Sequence, residues 1–216
     1  TIIIKIMRKL LLLIVALVSL AYAEATNLKS LKVENQENPC GVSVSQVRFS
    51  WQIESDKYSL KQVAYEITVS ASDKKFNKSK VWSSGKIISD RQVYVPYSGD
   101  ALKSGSKYFW RVKVWTNKGE QLESEIATFS TALADEDWQA KWIGLDDKEN
   151  LKIVDGRTQL RARYLRKEFS VANDVKRAML YVSGVGNSVC YINGMPVGED
   201  VLGPLPTLYT ETTLYN

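Results

Sequence analysis

Four acids are the first candidates for chemistry: Asp146 and Asp147, adjacent in one turn, and Glu199 and Asp200, adjacent in another. Hydrolysis of a glycosidic bond needs only two carboxyl groups, roughly 6.5 to 9.5 Å apart in an inverting enzyme, one serving as acid and one as base. Adjacent acids in polar turns are, as a class, solvated loop charges, and these four are expected to be that. The 216 residues include no histidine, so Ser-His-Asp and Cys-His catalysis, histidine zinc sites and histidine acid-base work are excluded. Asn193, Glu199 and Asp200 present hard oxygens, but they are fewer than the roughly six to eight that calcium takes. Gly184-x-Gly186 has Val189 where a third glycine belongs, and no strand-to-helix transition follows it, which rejects a nucleotide fingerprint. No cofactor and no metal are expected.

What the residues do permit is recognition of a sugar. An aromatic face can lie against the apolar face of the ring while amides and carboxylates bond its hydroxyls. Trp138, Trp142, Tyr209 and Tyr215 supply faces, and Asn193 and Asp200 supply polar groups. Asn193, Asp200 and Tyr209 are therefore the candidate carbohydrate-binding residues. The two tryptophans are expected to pack in a core or between domains. Asn193 has a second role open to it, because it tolerates the positive φ of a tight hairpin.

The elements that must position these residues are strands. Val47, Phe49, Trp51 and Ile53 alternate with Arg48, Ser50 and Gln52, the period of a strand with one buried face. Tyr65, Ile67 and Val69 repeat the pattern, and so do Val93 and Val95, with Pro96 closing the latter at an edge or turn. Ser104-Gly105 turns the chain before Tyr108, Trp110, Val112 and Val114, and a tyrosine at the start of a late strand predicts a hydroxyl bonded back to upstream backbone. Asn117-Lys118-Gly119 is a hairpin turn before a strand over Ile126 to Phe129. Residues 24–132 are expected to form a fibronectin type III-like sandwich.

A polar run, Asp135-Glu136-Asp137, then passes the chain to Trp138 and Trp142 in a linking segment over 133–144. Residues 145–216 are again all-β by pattern. Tyr164 to Val171 reads as a strand, Ala178, Leu180 and Val182 alternate on the next, and Asn193-Gly194 is a strong hairpin signal. The fold class is all-β, with two antiparallel β-sandwiches in tandem, the second jelly-roll-like and truncated.

At these residues a resemblance becomes specific. Trp138-Gln139-Ala140-Lys141-Trp142-Ile143-Gly144, Tyr164-Leu165-Arg166-Lys167-Glu168-Phe169, Leu180-Tyr181-Val182-Ser183-Gly184-Val185-Gly186 and Tyr191-Ile192-Asn193-Gly194-Met195-Pro196-Val197-Gly198 follow in the order and spacing of bacterial α-L-rhamnosidases. From about residue 27 to 216 the chain resembles the N-terminal region of that family. The resemblance implies a fibronectin-like domain, then a sandwich of carbohydrate-binding character, with the catalytic helical barrel and its acids beyond. Pro204-Leu205-Pro206-Thr207-Leu208-Tyr209 departs from the family's Pro-Gly-Trp-Thr-Asp-Tyr-like run. The expected function is thus that of a non-catalytic N-terminal fragment of a glycoside hydrolase acting on terminal α-L-rhamnose. Rhamnose-containing glycans are its partners through the parent enzyme. The rival is a complete exported carbohydrate-binding or adhesion protein of two sandwiches.

Composition narrows the setting. Met7-Arg8-Lys9, the apolar run Leu10 to Leu20 and the small-x-small triplet Ala21-Tyr22-Ala23 form a signal peptide with cleavage near Ala23. Residues 1–23 are therefore set apart, and the mature protein is expected to be periplasmic or extracellular. That apolar run is short of the roughly 20 residues a membrane span needs, so no membrane is expected as a partner of the mature form. Removing Lys5, Arg8 and Lys9 lowers the net charge from +5 by three to +2, which disfavours nucleic acid. Only Cys40 and Cys190 are present, on opposite sides of the linking segment, so packed sheets and not disulfides must supply stability.

Overall fold

A computed structural model describes residues 26–144, 152–154, 157–159, 163–172, 174–184, 186–198 and 203. The signal peptide reading lies outside these residues. The chain divides into two units, Thr1–Asp135 and Glu136–Asn216. Helix is confined, among the described residues, to the 3-10 turn Asp135–Asp137, whose side chains are all exposed.

The described residues of the first unit contain nine strands: β1 (Asn27–Val33), β2 (Arg48–Glu54), β3 (Gln62–Ser70), β4 (Lys80–Ser83), β5 (Ile87–Ile88), β6 (Val95–Pro96), β7 (Lys107–Thr116), β8 (Gln121–Glu123) and β9 (Ala127–Ser130). One sheet has the order β1-β2-β6 and the other β4-β3-β7-β8, with β5 also pairing β3 and β9 also pairing β7. Every strand pair is antiparallel. Alternation decides which faces meet. On β7, Tyr108, Trp110, Val112 and Val114 are buried, and Val69, Ile67 and Tyr65 stand opposite the last three of these on β3. Phe49 and Trp51 of β2 enter from the other sheet, and the Phe49 ring lies 4.7 Å from that of Trp110. Such aromatic contacts between sheets supply the buried area that a sandwich without disulfides requires.

Two polar details fix this core. Trp51 Nε1 donates to Gln62 Oε1 at 2.9 Å, while Gln62 Nε2 donates to the carbonyls of Ser89 and Arg91, each at 3.0 Å. Gln62 is only 3% exposed, so its amide satisfies one buried donor and two loop carbonyls together. Gln62→Leu should lower the unfolding free energy by about 1 to 3 kcal/mol by orphaning the indole N–H. Urea titration followed by tryptophan fluorescence checks this, and a variant as stable as the parent would contradict it. At the other end of β7, the Lys103 amide donates to the Tyr108 hydroxyl at 2.8 Å, the backward bond expected of a tyrosine starting a late strand.

The pattern over residues 117 to 130 differs from its sequence reading. Gly119, at φ 80°, closes the Asn117-Lys118-Gly119 turn as a left-handed residue after a tight turn, but the strand it leads into is β8. The chain then breaks pairing at Ser124 and resumes as β9 along the first half of β7. Ser124 bridges the break: its Oγ accepts from the Val112 amide at 3.0 Å, and its own amide donates to the Val112 carbonyl at 2.9 Å. Ile126, expected inside the strand, precedes β9 and is 40% exposed. Val93 also departs from expectation. Tyr94 takes φ 52°, which breaks the alternation, so Val95 is buried while Val93 is 54% exposed.

In the second unit the described strands form two separate hairpins, β10 (Lys152–Val154) with β11 (Arg157–Gln159), and β12 (Tyr191–Ile192) with β13 (Met195–Pro196). Asn193 at φ 51° and Gly194 at φ 81° form the turn of the latter, the left-handed pair that matches hairpin twist. The segments read as strands over 164–171 and around 178–182 form no ladder among the described residues, and Tyr164 and Phe169 are exposed. Alternation marks which face a segment would bury, but a strand exists only when a neighbour takes its backbone hydrogen bonds. Trp142, expected to be packed, is 67% exposed: Gln139 to Gly144 are exposed throughout and enter no ladder.

Candidate functional site

Of the three sequence-derived sugar residues, only Asn193 lies among the described residues. Asn193 is exposed, and its backbone forms the β12–β13 turn. Asp200 and Tyr209 lie outside the described residues, as do Tyr215 and the acids Asp146, Asp147 and Glu199. Trp138 is half-buried. No group of three or more acid or cysteine side chains is placed to hold a metal ion among the described residues. Cys40 is exposed and Cys190 half-buried, and neither is in a disulfide.

Sequence reasoning missed a polar and aromatic cluster beside the start of β2. Arg48 makes a forked pair with Glu34, Nε to Oε1 at 3.0 Å and Nη2 to Oε2 at 2.5 Å, and its guanidinium lies 4.6 Å from the centre of the Tyr94 ring. The Asn35 amide donates to the Tyr94 hydroxyl, and Arg91 donates to the carbonyls of Val93 and Tyr94. Three of the residues gathered here, Glu34, Asn35 and Tyr94, are left-handed. The one signal that could have marked this cluster is Asn35, a residue type that tolerates the left-handed conformation of turns. The hydrogen bonds that Arg48 donates to Glu34 raise its pKa above an already high ordinary value, and its fork is already occupied.

Next to it lies a shallow depression of about 260 Å³ lined by Val44 to Arg48 with Pro96 and Tyr97. Tyr97 stacks obliquely on Trp82 at 4.8 Å, and its hydroxyl donates to the Asp100 carbonyl at 2.9 Å. Burial, followed by the Asp100 charge, pushes the Tyr97 phenol above the ordinary tyrosine value. A raised folded-state pKa stabilises the neutral form. Its contribution is complete below about pH 10, where the unfolded tyrosine titrates, and is lost as pH climbs through the higher folded value. Stability should therefore fall as pH rises above about 10 more steeply in the parent than in Tyr97→Phe, as read by urea titration at each pH. Equal slopes would contradict this. Nothing in this cluster combines a nucleophile, a base and a place for a reacting atom.

Residues 28–135 match the family described as Rha78A-like, N-terminal immunoglobulin domain, and residues 173–216 match the alpha-L-rhamnosidase N-terminal domain. A protein of Formosa agariphila named alpha-L-rhamnosidase is 36% identical over 85% of this chain and 20% of its own length. The solved alpha-L-rhamnosidase from Dictyoglumus thermophilum superposes with a TM-score of 0.75 at 32% identity, over 88% of this chain and 23% of that one. The Streptomyces avermitilis alpha-L-rhamnosidase, solved in complex with L-rhamnose, gives a TM-score of 0.53 at 35% identity, over 56% of this chain and 12% of that one. The chain spans about a fifth of the length of the curated relatives it matches.

Proposed function

Since the chain belongs to the family of Rha78A-like N-terminal immunoglobulin domains through residues 28–135, we propose that it is the N-terminal, non-catalytic part of an exported α-L-rhamnosidase. The observation that carries this is coverage: 85% of the chain aligns with a protein named alpha-L-rhamnosidase while filling only 20% of it. The described geometry agrees in kind with a packing module, since it offers an aromatic-packed sandwich. The role assigned to the chain is to fold as a platform for its neighbouring domains. The substrates, through the parent enzyme, are glycans carrying terminal α-L-rhamnose, in keeping with the L-rhamnose bound by one relative.

Export and sugar contact belong to the same proposal. The basic, apolar and small-residue succession over 7–23 supports cleavage near Ala23, and Asn193, Asp200 and Tyr209 are the residues assigned to carbohydrate. The test is the reading frame beyond the codon for Asn216 together with the mass of the exported product. The proposal expects several hundred further in-frame codons and a mature protein beginning at Glu24. An exported, stable product ending at Asn216 would favour a self-sufficient two-sandwich binding protein and overturn it.

A further inference from the structure

We propose that the outer face of the β4-β3-β7-β8 sheet binds a linear polysaccharide bearing carboxylate or sulfate groups. The outward positions of β7 are Lys107, Phe109, Arg111, Lys113 and Trp115, none of them buried, against the inward Tyr108, Trp110, Val112 and Val114. At about 3.4 Å per residue this row is a straight track about 27 Å long. The loop from β3 to β4 extends it. Ser70 Oγ donates to the carbonyls of Ser72 and Ser79 at 3.1 and 2.9 Å, Phe76 is buried with the Arg111 guanidinium 4.7 Å from its ring centre, and Arg111 donates to Asn77 Oδ1 at 3.1 Å. These contacts pin the loop to the outer face beside Phe109 and hold Lys74, Lys75 and Lys78, all exposed, at the end of the track.

Two acids share this face with the cations, Glu66 and Glu123 standing on either side of Lys113 in the ladder. Glu123 pairs with Arg111 at 2.6 Å, Glu66 accepts from Ser83 Oγ at 2.8 Å, and Asp73 accepts from the Lys74 amide at 2.7 Å. Among the described residues, Lys74, Lys75, Lys78, Lys86 and Lys107 enter no ion pair. The aromatic rings decide against a neutral sugar. Lys86 Nζ sits 4.4 Å from the centre of the Trp115 ring and Lys107 Nζ 5.4 Å from that of Phe109. Each ammonium occupies a position over the ring that a sugar's apolar face would take, and is itself held there, ready for an anion. Cations gathered along one strand and its adjoining loop suit a chain that repeats its negative charges along its length. The choice of polysaccharide over nucleic acid rests on the rhamnosidase reading.

The test is calorimetric titration of the whole chain with polygalacturonate, dextran sulfate, neutral dextran and single-stranded DNA. Both acidic polysaccharides should bind in a salt-sensitive way and neutral dextran should not. Lys86→Glu with Lys107→Glu should weaken acidic-polymer binding by about tenfold or more at unchanged melting temperature, while Lys32→Glu on β1 leaves it intact. If the paired reversal fails to fold cooperatively, Lys74→Glu with Lys75→Glu on the exposed loop gives the same readout. Equal binding of neutral dextran, no binding of acidic polysaccharide, unchanged binding by the variants, or DNA binding tighter than both acidic polysaccharides would overturn the proposal. Hydrolysis is nowhere measured, so its failure leaves the rhamnosidase reading standing, and the reading frame beyond Asn216 tests that reading without reference to binding.

Discussion

Phe49→Ala should lower the unfolding free energy of the first unit by about 3 to 5 kcal/mol, the range for truncating a core phenylalanine. Phe49 is 0% exposed and is the side chain on which both sheets converge. Its ring lies 4.7 Å from Trp110, 6.1 Å from Phe129 and 6.4 Å from Trp82. Rings anchored on three strands of the opposite sheet cannot collapse into the space without moving those strands, so the cavity persists and adds to the lost transfer energy. Trp51 and Trp110, both buried, report the transition by fluorescence during denaturant titration. A loss below about 1 kcal/mol would mean that Phe49 is not at the centre of the core.

Gly99→Ala tests the same cluster by addition. A Cβ at Gly99 would stand 2.5 Å from the Tyr97 hydroxyl and 2.6 and 2.7 Å from two atoms of the Trp82 indole. The indole packs against the core, with Phe49 stacked at 6.4 Å, so it has little room to retreat. Overpacking of this kind typically costs about 1 to 3 kcal/mol. Loss of the Tyr97 hydroxyl bond to Asp100 should accompany it. The measurement is the melting temperature of Gly99→Ala in the parent and in a Trp82→Leu background. The penalty should shrink when the indole is gone, and an equal penalty in both would place the clash elsewhere.

The first sandwich was legible because its strands obey a period of two over four or more residues, as at Phe49, Trp51, Ile67, Val69, Trp110 and Val112. Failures came where one residue resets that period. Tyr94, in a left-handed conformation, moves Val93 to solvent, and Ser124 divides one apparent strand into β8 and β9 while its side chain replaces a ladder bond. Neither event has a composition signal. The Asn193-Gly194 turn was readable because hairpin chemistry is local, whereas a ladder over 164–171 depends on partners remote in sequence. The candidate sugar residues shared that dependence: a site gathered from Asn193, Asp200 and Tyr209 is set by tertiary placement and not by spacing. The lysines over 74–80 were visible as charges, but their grouping with β7 comes from the loop folding onto the outer face, with Phe76 buried beneath Arg111.

The central claim, that this chain is the non-catalytic beginning of an α-L-rhamnosidase, is tested most directly by the rate of aryl α-L-rhamnoside hydrolysis. The purified 216-residue chain is measured beside the protein made from the complete reading frame. The account predicts no turnover above buffer for the former and clear turnover for the latter. Hydrolysis by the 216 residues alone, abolished by Glu199→Gln or Asp200→Asn, would contradict it.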